Sequence, residues 1–270
     1  MKILNFTLFF VFVLMYQVFS QVVVTPYIVM IDEKNKFGTY TVVNETNETE
    51  EVSIAFKFEY LKSDAEGNLL YDPTETNMNS AVSWIKAFPK KFVLKPGEKQ
   101  IVRMTIDPPS GLAKGTYWAK IVTSSQKQEK FIDTSGNIKA RINFVLNQIT
   151  TVLFKNQKYE NQVDLTGVNV TVDNESVNIL SSVSVKGDQP FYAQFTYKIY
   201  DAGNKVVSEN TEFLGLFFDI QKKYKIPVNT LQPGNYSAEV TLGSDIGPDI
   251  PKTDKGEIQP LTKKVDFTIK

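Results

Sequence analysis

Hydrophobic side chains occupy every second position in several segments of the chain after residue 22. Residues 52–60, 102–106 and 138–146 each follow this pattern, with polar or small residues between the hydrophobic ones. A period of two predicts a strand with one face buried and the other exposed to solvent. No segment shows a convincing helical period. The pattern therefore predicts an all-β protein.

Turn signals separate these segments. Pro96-Gly97, Gly67-Asn68, Gly203-Asn204 and Pro233-Gly234 are dipeptides that favour tight turns. Many short strands joined by such turns are typical of a sandwich or a barrel. We expect immunoglobulin-like β-sandwiches.

The two halves of the chain resemble each other, which predicts two domains in tandem. Residues 58–68 and 195–204 each read as a strand followed by a hairpin turn, and residues 115–122 and 234–240 each open with Gly-x-Tyr. The predicted domains are residues 21–148 and 149–270, with a short linker.

Residues 1–20 have the features of a signal peptide. Lys2 gives a positive start, residues 3–19 are almost wholly apolar, and small enough side chains precede a cut after Ser20. An uncleaved membrane anchor is the alternative, although the apolar run is a little short for crossing a bilayer. We expect a periplasmic or secreted protein that contacts a membrane only through this peptide before cleavage.

Composition narrows the function. Lys and Arg together number 30, as do Asp and Glu, so no net positive charge favours nucleic acid. The chain has no His and no Cys, which removes the usual nucleophile pairs, zinc ligands and disulfides. We predict that it is not an enzyme and uses no cofactor or metal. The acidic and amide residues at Asp64, Glu66 and Asn68 could suggest calcium, but a hairpin turn explains them better.

Residues 88–103, which read FPKKFVLKPGEKQIVR, resemble one family. A Pro and an apolar strand before Pro-Gly-x-x-x-x-Val-Arg is the pattern of periplasmic pilus-assembly chaperones of the PapD-like family. The resemblance covers residues 22–148, the first domain only. It implies an immunoglobulin-like domain that donates an edge strand to an incomplete partner, whose terminal carboxylate a basic cleft holds.

The resemblance also implies where the partner binds. The row of inserting side chains falls at Thr134, Gly136 and Ile138, and the basic anchor of the last strand falls at Asn143, with Arg141 on the same face as a substitute. The first strand, residues 22–31, has no Lys or Arg to supply the second anchor. Phe131 lies in a loop that could become ordered on a partner. The predicted partner-binding residues are Phe131, Thr134, Gly136, Ile138, Arg141 and Asn143.

These patterns predict a chaperone-like factor for the assembly of surface fibres or other exported proteins, which pairs an edge strand near residues 131–146 with a pilin-like or other exported subunit. A structural or adhesive surface protein is the main alternative. A carbohydrate-binding module is the third, because Trp84 and Trp118 could form a sugar-stacking platform. A tryptophan in a sandwich is more often part of the core, and we expect core positions for both.

Overall fold

The computed structural model describes residues 21–72, 79–128, 144–157, 162–186, 190–244 and 258–270. These residues form strands, turns and two short 3-10 helices, at Val82–Trp84 and Val228–Thr230. Within the same ranges, no helix has the length and apolar character needed to cross a membrane. The predicted signal peptide, residues 1–20, lies outside the described part of the chain.

Residues 21–157, here called the first unit, contain two packed sheets and a separate hairpin. One sheet has the order β1-β3-β9-β7, the other has the order β2-β11-β10-β4-β8, and β5 and β6 form a two-stranded sheet. The strands are β1 (Val22–Thr25), β2 (Ile28–Asp32), β3 (Phe37–Asn44), β4 (Glu50–Lys57), β5 (Tyr60–Ser63), β6 (Leu69–Asp72), β7 (Ile85–Phe88), β8 (Lys91–Leu94), β9 (Lys99–Ile106), β10 (Gly115–Lys127) and β11 (Val145–Asn156).

The alternating side chains of these strands meet between the two sheets. Val102 and Met104 of β9 are fully buried, as is Ile121 of β10 on the facing sheet. Tyr40 is also buried there, and its hydroxyl lies 3.2 Å from the hydroxyl of Thr123. The buried positions of β4 and β9 follow the two-residue period, which confirms the strand predicted at residues 102–106. The strand predicted over residues 52–60 is confirmed only as far as Lys57, where β4 ends, and Tyr60 begins β5.

Strand β11 is the last strand of the first unit and runs further than the sequence pattern predicts. It pairs with β10 from Val145 to Asn156 without a break. The predicted boundary between residues 148 and 149 therefore falls inside one continuous strand, and the first unit extends at least to Asn156. The reason is local, because Thr150 to Phe154 are all buried and show no alternation.

Residues 162–270, here called the second unit, form another pair of sheets, with the orders β12-β13-β16 and β15-β14-β17-β18. The prediction of two immunoglobulin-like sandwiches is confirmed, and so are the repeated hairpin and Gly-x-Tyr strand openings. The strands are β12 (Val163–Val172), β13 (Ser176–Val185), β14 (Phe191–Asp201), β15 (Val206–Leu216), β16 (Ile220–Pro227), β17 (Gly234–Gly243) and β18 (Leu261–Ile269).

An aromatic cluster joins the two units. Trp118 is 2% exposed, and its ring centroid lies 4.4 Å from that of Phe217 and 5.0 Å from that of Phe58. Tyr60 packs edge-on against Phe218 at 4.7 Å. We call this set the junction cluster; its members are Ile28, Phe58, Tyr60, Trp118, Leu153, Tyr192, Phe217 and Phe218. Trp118 is thus a core residue as predicted, although its core lies between the units.

Trp84 also packs inside the protein. It is partly buried against the core of the first unit, and its ring centroid lies 5.1 Å from that of Tyr117. The two tryptophans therefore do not form a shared sugar-stacking platform, since they belong to different clusters.

The β5–β6 hairpin makes the second contact between the units. Its turn is an Asp64-centred turn, in which the carboxylate accepts the backbone N–H groups of Glu66 and Asn68 at 3.0 and 2.8 Å. The hairpin prediction is confirmed, and among the described residues no group of acidic side chains could hold a metal ion. The tip then reaches the second unit, where Gly67 accepts the backbone N–H of Lys223 at 2.8 Å.

Candidate partner-binding site

The six predicted partner-binding residues, Phe131, Thr134, Gly136, Ile138, Arg141 and Asn143, lie outside the described residues. Most of the strand predicted over residues 138–146 lies there too. The described part of this strand is the start of β11, which continues for ten residues beyond Leu146 to Asn156. The candidate site is therefore built from the described residues of β11.

Half of the outer edge of β11 has no pairing strand among the described residues. β2 pairs in parallel with Thr151 to Lys155, and Thr151 donates its backbone N–H to Tyr27 at 3.0 Å. Backbone groups alternate along a strand, so the N–H groups of Asn147 and Ile149 point to the same outer side as that of Thr151. The segment from Val145 to Thr150, here called the free edge, offers main-chain groups for pairing.

Apolar side chains accompany the free edge. Val145, Leu146 and Ile149 are 52%, 43% and 46% exposed, although each could bury its surface against an added strand. The inward side chains differ. Gln148 ties its amide nitrogen to the carbonyl of Val22 at 2.8 Å, while its own side-chain oxygen and the hydroxyl of Thr150 are buried without a partner in the described part of the chain.

A shallow groove lies beside the free edge, on the outer face of the sheet that contains it. It has a volume of about 450 Å³ and crosses β8, β4, β10 and β11. Among the residues that line it, Val93 and Val145 are apolar and exposed, and Ser53 and Ser124 give small polar side chains between them. The surface next to the free edge could therefore accept side chains of an added polypeptide.

Lys120 lies where the free edge ends. It projects from β10 on the outer face, beside Lys57 of β4 and Thr151 of β11, its neighbours in the sheet. Its ammonium donates to the Thr151 hydroxyl at 3.0 Å and lies 5.1 Å from the centre of the Phe217 ring. This single donated hydrogen bond to a described residue leaves most of the donor capacity of the ammonium group available.

The surroundings of Lys120 disfavour its charge. Burial under the second unit lowers its pKa to about 8, the nearby carboxylate of Glu59 raises it, and the positive charge of Lys57 lowers it. Glu59 is buried and forms an ion pair with Lys57. The ammonium groups of Lys57 and Lys120 share the single carboxylate of Glu59. An anion bound at Lys120 would therefore balance the second positive charge.

The outer faces of the two units meet at the junction cluster. On one side, the outer face of the first unit carries Trp118, then Lys120 and then Val122 along β10. On the other side, Tyr192 projects from the outer face of β14 into the same cluster. Lys120 thus lies next to the junction cluster. The sequence did not single it out, because a lysine between the buried Ala119 and Ile121 resembles an ordinary solvated residue.

Comparison with protein-family models finds no match for this chain, and comparison with curated proteins finds none either. Solved structures do resemble it. The complex of the SafA pilin with the SafB chaperone of Salmonella enterica has 13% sequence identity and a TM-score of 0.45, and the match covers 93% of this chain and 97% of that chain.

Two further chaperone structures give similar values. For the CsuC-CsuE chaperone and tip subunit complex of Acinetobacter baumannii, the identity is 10%, the TM-score is 0.44, and the coverage is 91% of this chain and 98% of that chain. For the Pseudomonas aeruginosa CupB2 chaperone, the corresponding values are 9%, 0.43, 92% and 100%. All three structures contain a chaperone.

Proposed function

We propose that this protein is an exported chaperone-like factor that holds another exported polypeptide in an extended form. The partner pairs its main chain with the free edge of β11, and its terminal carboxylate binds the ammonium of Lys120. Lys120 takes the part that the family resemblance assigned to Asn143 and Arg141.

One observation supports this proposal above all: the free edge ends next to the partly buried ammonium of Lys120. β2 covers the edge from Thr151 onward, so a partner strand laid along Val145 to Thr150 must stop there. Thr151 is also the residue whose hydroxyl accepts a hydrogen bond from Lys120. A strand that ends in a free carboxylate at this point runs parallel to β11 and brings its negative charge to the ammonium.

Two kinds of contact contribute to the free energy of binding. Main-chain hydrogen bonds and apolar contacts along the edge give binding that depends little on the partner's sequence. The carboxylate adds specificity for a chain terminus, because a charge-assisted hydrogen bond in a partly buried site contributes about 1.5 to 3 kcal/mol. Such a protein binds an extended, unpaired segment at the carboxyl end of another polypeptide, which suits a chaperone for exported subunits.

The test uses a ten-residue peptide of alternating threonine and valine, labelled with rhodamine at its amino end. One form ends in a free carboxylate and the other in an amide. We expect the carboxylate form to bind the mature protein more tightly by about ten-fold or more. Lys120→Gln should remove this difference, since glutamine keeps the polar contact with Thr151 but carries no charge.

Lys99→Gln is the matched control. Lys99 is an exposed lysine of β9, on the other sheet of the first unit, so its loss should leave both affinities unchanged. Fluorescence anisotropy measures the binding. Equal affinity for the two peptide forms in the wild-type protein would show that no carboxylate is recognised and would overturn the proposal.

A further inference from the structure

The outer face of the sheet β15-β14-β17-β18 begins at the junction cluster, because Tyr192 of β14 lies on this face and belongs to that cluster. Through Tyr192, this end of the face packs against the first unit. Gly215 of β15 is the direct neighbour of Tyr192, and a side chain at Gly215 would come within 3.3 Å of the Tyr192 ring and 3.4 Å of the Phe217 ring. The rows beyond Tyr192 lead away from Lys120.

The side chains on this face are arranged in rows that differ sharply in charge. One row alternates in sign, and Lys198 and Glu209 lie 4.0 Å apart within it. That charged row is Glu209, Lys198, Glu239 and Lys264. The next row towards the junction cluster is uncharged and consists of four threonines, Thr211, Thr196, Thr241 and Thr262.

The row nearest to the junction is uncharged as well. It contains Phe213, Gln194 and Gly243, and the Phe213 side chain is 60% exposed. The threonine hydroxyls beside it already pair with one another, Thr196 with Thr211 at 3.0 Å. The half of the face next to the junction cluster thus presents paired threonine hydroxyls, the amide of Gln194 and one large exposed aromatic ring.

This composition is that of an interface. A single exposed phenylalanine is ordinary on a soluble protein. Here, however, the ring stands in a zone whose described residues are uncharged and which begins at the junction cluster. The centres of protein interfaces lack charged residues and are enriched in aromatic ones, whereas the charged row further out is typical of a solvated surface.

We infer that these two uncharged rows are a second wall of the partner-binding site. Phe213 contacts the apolar side chains that precede the carboxylate bound by Lys120, so both units hold the same polypeptide. The inference rests on the proposed function and adds to it a role for the second unit, since selection among partners would depend on the residues next to their carboxyl end.

The experiment uses the same rhodamine-labelled threonine-valine peptide with a free carboxylate. Phe213→Ser should weaken its binding by about five-fold or more, because a large aromatic contact is lost. Phe88→Ser is the matched control, since Phe88 is 78% exposed on the other sheet of the first unit. We expect that control to change the affinity by less than about two-fold.

A second measurement keeps the aromatic side chain. Phe213 is replaced by the photoreactive p-benzoylphenylalanine, and so is Ile149 of the free edge in a separate protein. After irradiation, both should attach to the peptide, position 213 through its last residues, and Lys120→Gln should weaken both adducts.

Different results would overturn the second wall and the proposed function. Attachment at position 149 without attachment at 213, together with full affinity of Phe213→Ser, would overturn the second wall and leave the proposed function standing. Failure of the wild-type protein to bind the carboxylate peptide in preference to its amide would overturn the proposed function, and the second wall with it.

Discussion

Lys120 determines how the site should respond to pH. Because burial lowers its pKa to about 8, the free protein loses the ammonium charge as the pH rises through that value. A bound carboxylate favours the charged form and raises the pKa in the complex. Between these two pKa values, binding takes up a proton.

The affinity for the carboxylate peptide should therefore fall by about ten-fold per pH unit above pH 8. Anisotropy titrations from pH 6.5 to 9.5 measure this dependence. The peptide amide should show a flat profile, as should Lys120→Gln with either peptide. A fall of the same size for the amide would assign the pH dependence to another group.

The environment of Lys120 could not be predicted from the sequence. Lys120 alternates with Ala119 and Ile121, as a solvated residue of a half-buried strand does. Its environment depends on Phe217, which is 97 positions later in the chain and comes close only when the two units pack. The pattern of one strand contains no information about a neighbour from another unit. The sequence therefore did not predict Lys120 as a binding residue.

The extent of strand β11 could not be predicted from the alternation of its side chains either. Alternation predicted β4 and β9 correctly, because one face of each packs in a core and the other meets solvent. In β11, Val152 and Phe154 face the core of the first unit, while Leu153 faces the junction cluster. With both faces covered, the period of two disappears, and the predicted domain boundary fell inside the strand.

The free edge itself can be tested with one backbone group. Asn147→Pro removes an N–H that points away from β10, so the sheet should keep its pairing while an added strand loses a hydrogen bond. We expect weaker binding of the carboxylate peptide, by about three- to ten-fold, with a small change in thermal midpoint.

Asn147→Ala is the matched control, because it also removes the 2.7 Å hydrogen bond from the Ser124 hydroxyl to the Asn147 side chain but retains the N–H. Anisotropy and thermal unfolding measure the two effects. Equal binding by the proline and alanine variants would argue against main-chain pairing at this edge.

At the scale of the whole molecule, the β5–β6 hairpin fixes one unit against the other. Besides the bond from Lys223 to Gly67, Gln221 donates its backbone N–H to the Ser63 hydroxyl at 2.9 Å. Gly67 has a φ of 81°, and a side chain there would collide with Leu180 of the second unit. The turn motif was predictable from the sequence, but its docking was not, because the surface that receives it lies more than 100 residues away.

Gly67→Val should therefore separate the units, and Gly97→Val is its matched control. Gly97 also lies in a turn with a positive φ, 73°, but has no atom within 4 Å of the added side-chain position. Both substitutions strain the backbone, by about 1 to 2 kcal/mol. Only Gly67→Val should also speed hydrogen exchange at the amides of Gln221 and Lys223. Equal exchange in both variants would mean that the hairpin does not hold the units together.

The β5–β6 hairpin also covers an edge of the second unit, and this edge would be exposed if the two units were separated. The amides of Gln221 and Lys223 lie on the outer side of β16, the side not paired with β13, and the first unit supplies their acceptors. A fragment cut after Asn156 would leave this row of donors bare, and bare rows of this kind recruit strands from other molecules. Proteolysis between the units would thus expose an edge of the second unit at which other strands could pair.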